Sequence, residues 1–175
     1  MRRNRRLVTL PFIAAGIYLA RFETGYAKPG TFLIMAGEFF RIWGSGYLQK
    51  EQKLCTGGPY RMIRHPLYLG SLMIAAGFAI LSGSVLLWLL IILYFTVCYY
   101  PTIVYEEDIL AAKFSDDFKR YTAIVPAFYP TLKLYPDPDL SRFSVEQVLK
   151  NKEYNAVLGI IVIYAYLVFI SVGWS

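Results

Sequence analysis

The stretch at residues 83–105, GSVLLWLLIILYFTVCYYPTIVY, contains no Lys, Arg, Asp or Glu. About 20 predominantly apolar residues cross the hydrocarbon core of a bilayer as a helix. This run therefore reads as a membrane span, and it sets the solvent in which the rest of the chain is read. Just upstream, residues 66–81 are again apolar, and only Ser82-Gly83-Ser84 separates the two runs. So short a break predicts an antiparallel helical hairpin.

Three further apolar runs lie at 7–22, 31–48 and 154–174. The chain is 57% hydrophobic and 17% charged, with a mean hydropathy of +0.44, whereas soluble domains average about 25% charged residues. The expected fold is a single all-α integral membrane domain over residues 1–175, with about five transmembrane helices. The first run is short for a span. Its MRRNRR lead-in has the charge of a signal-peptide start, but no small-x-small cleavage site follows, so an uncleaved anchor is expected.

The cations give a topology. Of 18 Lys and Arg, Arg21 and Lys28 fall in the first turn and Arg41 inside the second run. The rest lie in the N-terminus, the 49–65 loop and the 106–152 region, three places that share one side if there are five spans. The positive-inside rule makes that side the cytoplasm and puts the C-terminus outside. The net charge of +6 thus reads as membrane patterning, with no nucleic-acid face. Cys55 and Cys98 have no metal or disulfide spacing and read as apolar filler. A single histidine excludes an all-histidine metal site, and no metal is expected.

Between the spans, Gly57-Gly58-Pro59 marks a turn. Residues 106–121 read as an extension of the fourth helix or as an amphipathic helix. Residues 132–139, with Pro136 and Pro138, read as loop. Residues 141–152 read as a surface helix with Ser144 as N-cap and Gln147 three positions on.

Four groups of polar residues sit where an apolar chain has reason to avoid them. In GGPYRMIRHPLYLG (57–70), Pro66 suits the first turn of a helix, which places His65 at the cap beside Arg61 and Arg64. A helix start with added cations suits an anion; contact with lipid headgroups is the alternative. Glu38 and Arg41 share a helical face with Ser45, either toward a cavity or partner or as a self-satisfying ion pair. Glu106, Glu107 and Asp108 end the fourth apolar run, as a solvated face or as carboxylates that hold hydroxyls or a cation. Tyr94, Cys98, Thr102 and Tyr105 fall on one face of that helix, as a pocket for an apolar chain or as a helix interface.

The ordered set Gly58-Pro59-Tyr60, Arg64-His65-Pro66, Tyr68, Gly70, Glu106-Glu107, Leu110, Phe114, Tyr121, Val125-Pro126 and Pro130 resembles the isoprenylcysteine carboxyl methyltransferase family, whose wider relatives include phospholipid N-methyltransferases. Arg41 and Trp43 fit the same pattern, so the resemblance covers about residues 39–130. It implies an integral membrane methyltransferase using S-adenosylmethionine in a cytoplasm-facing pocket, with a lipid or lipidated acceptor arriving from the bilayer. By that resemblance Gly58, Pro59, Tyr60, His65, Tyr68, Glu106 and Glu107 bind the cofactor. Arg64 sits at the reacting end and, with Glu106 and Glu107, forms the catalytic group. Arg41, Trp43, Tyr94 and Tyr105 are the expected substrate contacts. The sequence departs from the pattern at Ser115, Phe118 and Ala127, which bears on the acceptor more than on the cofactor. A prenylcysteine-type carboxyl is the leading acceptor, followed by a phospholipid amine. A sterol-reductase-like enzyme binding NADPH and a non-catalytic scaffold are the competing readings.

Overall fold

The structure, a computed structural model, describes residues 11, 12, 15, 16, 18, 22–49, 53–136 and 138–173. All regular elements among them are helical: α1 (Ala27–Tyr47), α2 (Pro66–Ser82), α3 (Val85–Tyr94), a π-helical turn (Phe95–Tyr99), α4 (Tyr100–Ile124), α5 (Val145–Lys150) and α6 (Tyr154–Gly173). Short 3-10 turns cover Thr24–Tyr26 and Gly58–Arg61. Two helical runs, Val85–Ile124 and Tyr154–Ser171, are long and apolar enough to cross a membrane, and Pro66–Ser82 is apolar but shorter. The expected span at 31–48 is a 21-residue helix, α1, that carries Lys28, Glu38 and Arg41. The expected first span falls largely outside the described residues, of which those between 11 and 18 are helical.

The α2–α3 hairpin forms as its punctuation demands. Gly83 ends α2 in the left-handed region at φ 60°, where glycine carries no Cβ penalty. Ser84 then caps α3 by accepting from the Leu87 N–H. Ala79, Leu87 and Ile91 close a small apolar core between the two helices.

α1 and α2 approach far more closely. A Cβ on Gly37 would stand 2.6 Å from the Gly70 carbonyl oxygen, and one on Gly70 would stand 2.5 Å from that of Gly37. Gly30 meets Gly77 in the same way, so the two helices run antiparallel. The contacting glycines recur every seven residues, which favours a shallow left-handed crossing, and small residues let membrane helices touch backbone to backbone.

The fourth apolar run does not end at Tyr105. Of the two readings for residues 106–121, the extension holds: the helix continues to Ile124, broken by Ser115 at φ 38° and ψ −106°. Its last turns pack Phe118, Tyr121 and Val125 against Tyr135. Ser144 caps α5 as expected, accepting from the Gln147 N–H. The Gln147 side chain does not complete a capping box; it donates to Leu48 O at 2.7 Å. Asn151 adds bonds to Ser45 O and Leu48 O. α5 thus satisfies carbonyls that the end of α1 leaves unpaired.

Candidate active site

The loop before α2 is built by backbone geometry. Gly58 has φ +53°, and a Cβ there would stand 2.6 Å from the Tyr47 ring, so only glycine fits. Pro59 and Tyr60 are buried, and their side chains serve the turn's interior. The Tyr60 carbonyl accepts from Tyr121 Oη at 2.7 Å. The Asp139 carboxylate accepts from the N–H groups of Thr56 and Gly57 at 2.9 and 3.1 Å, and pairs with Lys53. Partial burial pushes the Asp139 carboxyl up, but bonds from Ser141, Thr56 and Lys53 outweigh it and hold the group at about 2. Nearby, burial and the Asp139 charge push the Cys55 thiol up to about 12, in keeping with an inert filler.

Residues 126–135 run alongside this loop and fix its register. Arg64 N–H donates to Pro126 O at 2.9 Å, His65 N–H to Ala127 O at 3.2 Å, and Thr131 N–H to Met62 O at 3.0 Å. Arg61 Nε donates to Tyr135 O at 3.1 Å, so Arg61 is spent on the loop. Arg64 turns the other way, toward α4.

There the two distant motifs meet. His65 Nε2 lies 2.8 Å from Glu107 Oε1, and Arg64 Nη1 pairs with the same oxygen at 2.8 Å. Tyr68 Oη donates to Glu106 Oε1 at 2.7 Å. His65 is the N-cap residue of α2, its ring is 8% exposed and makes no cap bond, and it is flanked by the rings of Tyr68 and Phe128. Adjacent helical residues point about 100° apart, yet both glutamates are engaged, because α2 offers partners one turn apart. Arg64 Nε is buried and has no hydrogen-bond partner among the described residues.

Beside this group a narrow cleft is lined by Tyr68, Tyr94, Cys98, Tyr99 and Thr102. The face predicted from spacing is present with one substitution. The π turn holds an extra residue, which brings Tyr99 onto the face and swings Tyr105 off it. Tyr105 is 54% exposed and is not part of the lining.

Two other expected substrate contacts lie elsewhere. Arg41 bonds Ser71 and pairs with Glu153 at 2.5 Å and with Glu38 at 3.8 Å. Trp43 packs against Phe39 and Phe40. Among the described residues no hydrogen bond or ion pair joins either to the His65–Glu107 group. Glu38 and Arg41 face each other as the spacing predicts, but Glu153 is the closer acid; a lone glutamate before an apolar helix gave no sign of that partner. Asp139 was also missed, although an aspartate in a proline-bounded loop is a common acceptor of backbone N–H groups.

A model of the phospholipid methyltransferase family matches residues 8–117, well over half of the chain. A nickel-cobalt-cadmium resistance protein of Alcaligenes xylosoxydans xylosoxydans is 34% identical over 97 residues, 54% of this chain and 45% of that protein. A cobalt-zinc-cadmium resistance protein of Cupriavidus metallidurans is 34% identical over 97 residues, 54% of this chain and 44% of its own length. The protein-S-isoprenylcysteine O-methyltransferase of Schizosaccharomyces pombe is 30% identical over 100 residues, 57% of this chain and 42% of that enzyme. The match thus spans less than half the length of each relative. No solved structure matches the chain significantly. The family match takes in both halves of the site, His65 with Tyr68 and Glu106 with Glu107, and the chain belongs to the phospholipid methyltransferase family.

Proposed function

We propose that the chain is a membrane-embedded methyltransferase that uses S-adenosylmethionine and acts on a lipid or lipidated acceptor, with a prenylcysteine-type carboxyl as the leading acceptor. The observation that carries this reading is the convergence of Arg64, His65 and Tyr68 with Glu106 and Glu107. Family membership and the prenylcysteine methyltransferase relative support it. The site faces the cytoplasm in this reading, with the C-terminus outside.

The residues present suit the cofactor. The start of α2 would take its carboxylate. Glu106 and Glu107 would face its hydroxyls and its positive sulfur. Bound there, S-adenosylmethionine supplies a methyl group activated by a sulfonium. The protein's own work is then positional: to align the acceptor and exclude water. A carboxylate acceptor needs no base, and Arg64 would orient it. A phospholipid amine is the second reading; the His65–Glu107 pair favours it, because a carboxylate-held imidazole can take the amine's proton.

The names of the metal-resistance relatives add no chemistry to this site. Among the described residues no three His, Cys, Asp or Glu side chains converge on one point.

Labelled methyl donor and purified protein in nanodiscs test the reading, with prenylcysteine and phosphatidylethanolamine acceptors in parallel. Label in one acceptor class is expected. Calorimetry that shows binding of NADPH and none of S-adenosylhomocysteine overturns it.

A further inference from the structure

The turn at residues 57–60 can meet a ligand only through its backbone. Pro59 and Tyr60 are buried, the glycines have no side chains to offer, and the Tyr60 carbonyl is taken by Tyr121 Oη at 2.7 Å. A loop that binds through backbone atoms is only as good as the hold on those atoms, since small misplacements are costly.

The hold on the front of this turn comes from one side chain, Asp139. Its Oδ2 accepts from the Thr56 and Gly57 N–H groups at 2.9 and 3.1 Å. Its Oδ1 accepts from Lys53 Nζ at 3.2 Å, from the Ser141 N–H at 2.8 Å and from the Ser141 hydroxyl. The Asp139 N–H donates back to Thr56 Oγ1 at 2.8 Å, which closes the arrangement from both sides. Thr56 is buried, and a Cβ on Gly57 would stand 3.1 Å from the Asp139 carbonyl oxygen. Bonds to an ionised carboxylate are stronger than neutral ones.

The residues after Asp139 make it an anchor. Ser144 N–H donates to Gly46 O at 3.1 Å, the Phe143 ring covers Gly46, and the Gln147 and Asn151 side chains donate to Leu48 O and Ser45 O. α1 in turn meets α2 backbone to backbone at Gly37 and Gly70, and His65 caps the start of α2. Asp139 therefore ties the glycine turn to the frame that presents the His65–Glu107 group. This strap lies beyond the residues that match the family model, which end at 117.

We propose that Asp139 is a positioning residue for the cofactor. By holding the Thr56 and Gly57 amides it fixes the Gly58–Tyr60 turn where S-adenosylmethionine meets it, and it sets cofactor affinity without touching the cofactor. The inference rests on the methyltransferase reading, which gives that turn to the cofactor.

The test combines S-adenosylhomocysteine calorimetry with methyl-transfer kinetics in nanodiscs, at a temperature where every variant is folded. Asp139→Ala should raise the KM for S-adenosylmethionine and weaken S-adenosylhomocysteine binding by roughly tenfold, with kcat and the acceptor KM within about twofold. Asp139→Asn keeps a carbonyl oxygen for both amides and should restore most of the affinity. Asn151→Ala, which loosens the same strap from α1, should lower the Tm and leave cofactor affinity at the parental value. Should Asp139→Ala not fold, Thr56→Val removes only the hydroxyl that accepts the Asp139 N–H, and the same split is expected at about threefold. Parental cofactor affinity in the variant measured, a loss that falls on kcat alone, or affinity losses that simply follow the Tm in the Asn151 variant too, overturn the proposal and leave the methyltransferase reading standing. A parent protein that binds no S-adenosylhomocysteine while its Thr56 and Gly57 amides stay protected from exchange overturns that reading and this role with it.

Discussion

His65 Nε2 stands 2.8 Å from Glu107 Oε1, and Arg64 Nη1 pairs with that same oxygen at the same distance. One carboxylate thus holds two neighbouring side chains of the α2 start. Groups that share a single acceptor do not act independently. Glu107→Gln is expected to weaken S-adenosylhomocysteine binding by about tenfold, or about 1.4 kcal/mol. Combining it with His65→Ala should add little, leaving a coupling energy on the order of 0.5–3 kcal/mol. Calorimetry on the four proteins of the cycle decides this; strictly additive losses mean that His65 and Glu107 do not act as a unit.

The cluster around Arg41 predicts an asymmetry. Glu153 is 4% exposed and Arg41 19%, and they form a close pair. Removing one partner of a buried pair leaves an uncompensated charge, at a cost of about 3–5 kcal/mol. Arg41→Met and Glu153→Gln should therefore destabilise strongly. Glu38 is the surplus acid, with both carboxylate oxygens buried and without a hydrogen-bond partner among the described residues. Glu38→Gln should be neutral, or stabilising by up to ~1 kcal/mol. Thermal unfolding in detergent would show the ranking, and equal losses in all three variants would contradict it.

Which features were legible in the sequence follows from the range of the interactions. His65 at a cap, Pro66 at a helix start, Ser144 as an N-cap and the Gly83 break are local, because each depends on backbone groups a few residues away. The meeting of His65 with Glu107 is not local; the resemblance suggested it, while periodicity alone left both groups with bland alternatives. Glu153 and Asp139 went unseen because nothing near them in the chain marks their partners, Arg41 and the Thr56 and Gly57 amides. Tyr105 was placed on the Tyr94 face because a helical wheel assumes an unbroken 3.6-residue turn, and the π turn breaks that count. The seven-residue glycine spacing of α1 and α2 was present in the sequence, but its meaning appears only when two helices face each other.

That glycine contact sets a third prediction. Gly37→Ala or Gly70→Ala puts a methyl within 2.6 Å of a backbone oxygen, and a backbone cannot rotate away as a side chain can. The helices must part, which costs about 1–3 kcal/mol as overpacking does elsewhere. Gly25, with nothing near its Cβ position, is the control. Chemical unfolding in lipid micelles should show a loss for the first two alanines and none for Gly25→Ala.

Asp139 gives a pH prediction with a definite sign. Its carboxyl is held at about 2 against an ordinary value of 3.8. A lowered carboxylate stabilises the fold above its unfolded value, and that contribution is lost as pH falls through the folded value. The Thr56 and Gly57 amides should stay protected from hydrogen exchange down to about pH 4, then lose protection as pH approaches 2. Asp139→Asn, measured in parallel, corrects for the intrinsic exchange rate. A midpoint near the ordinary carboxylate value would show that these bonds do not stabilise the charge.

The π turn at Phe95–Tyr99 supplies the most severe test of the site's geometry. A π turn carries one residue more than an α-helical turn, so α4 leaves it rotated by about 100° relative to an unbroken helix. Glu106 meets Tyr68 and Glu107 meets His65 only in that rotated register. Deleting Val97, which is 52% exposed, should let the turn relax to an ordinary α-helix. Helical content should be kept, while both glutamates turn away from α2 and S-adenosylhomocysteine binding is abolished. Val97→Ala removes the same side chain without shifting the register, and its binding should match the parent. Circular dichroism with calorimetry on the two variants separates a register effect from the loss of a side chain. Retained affinity in the deletion would mean that the glutamates do not hold the cofactor.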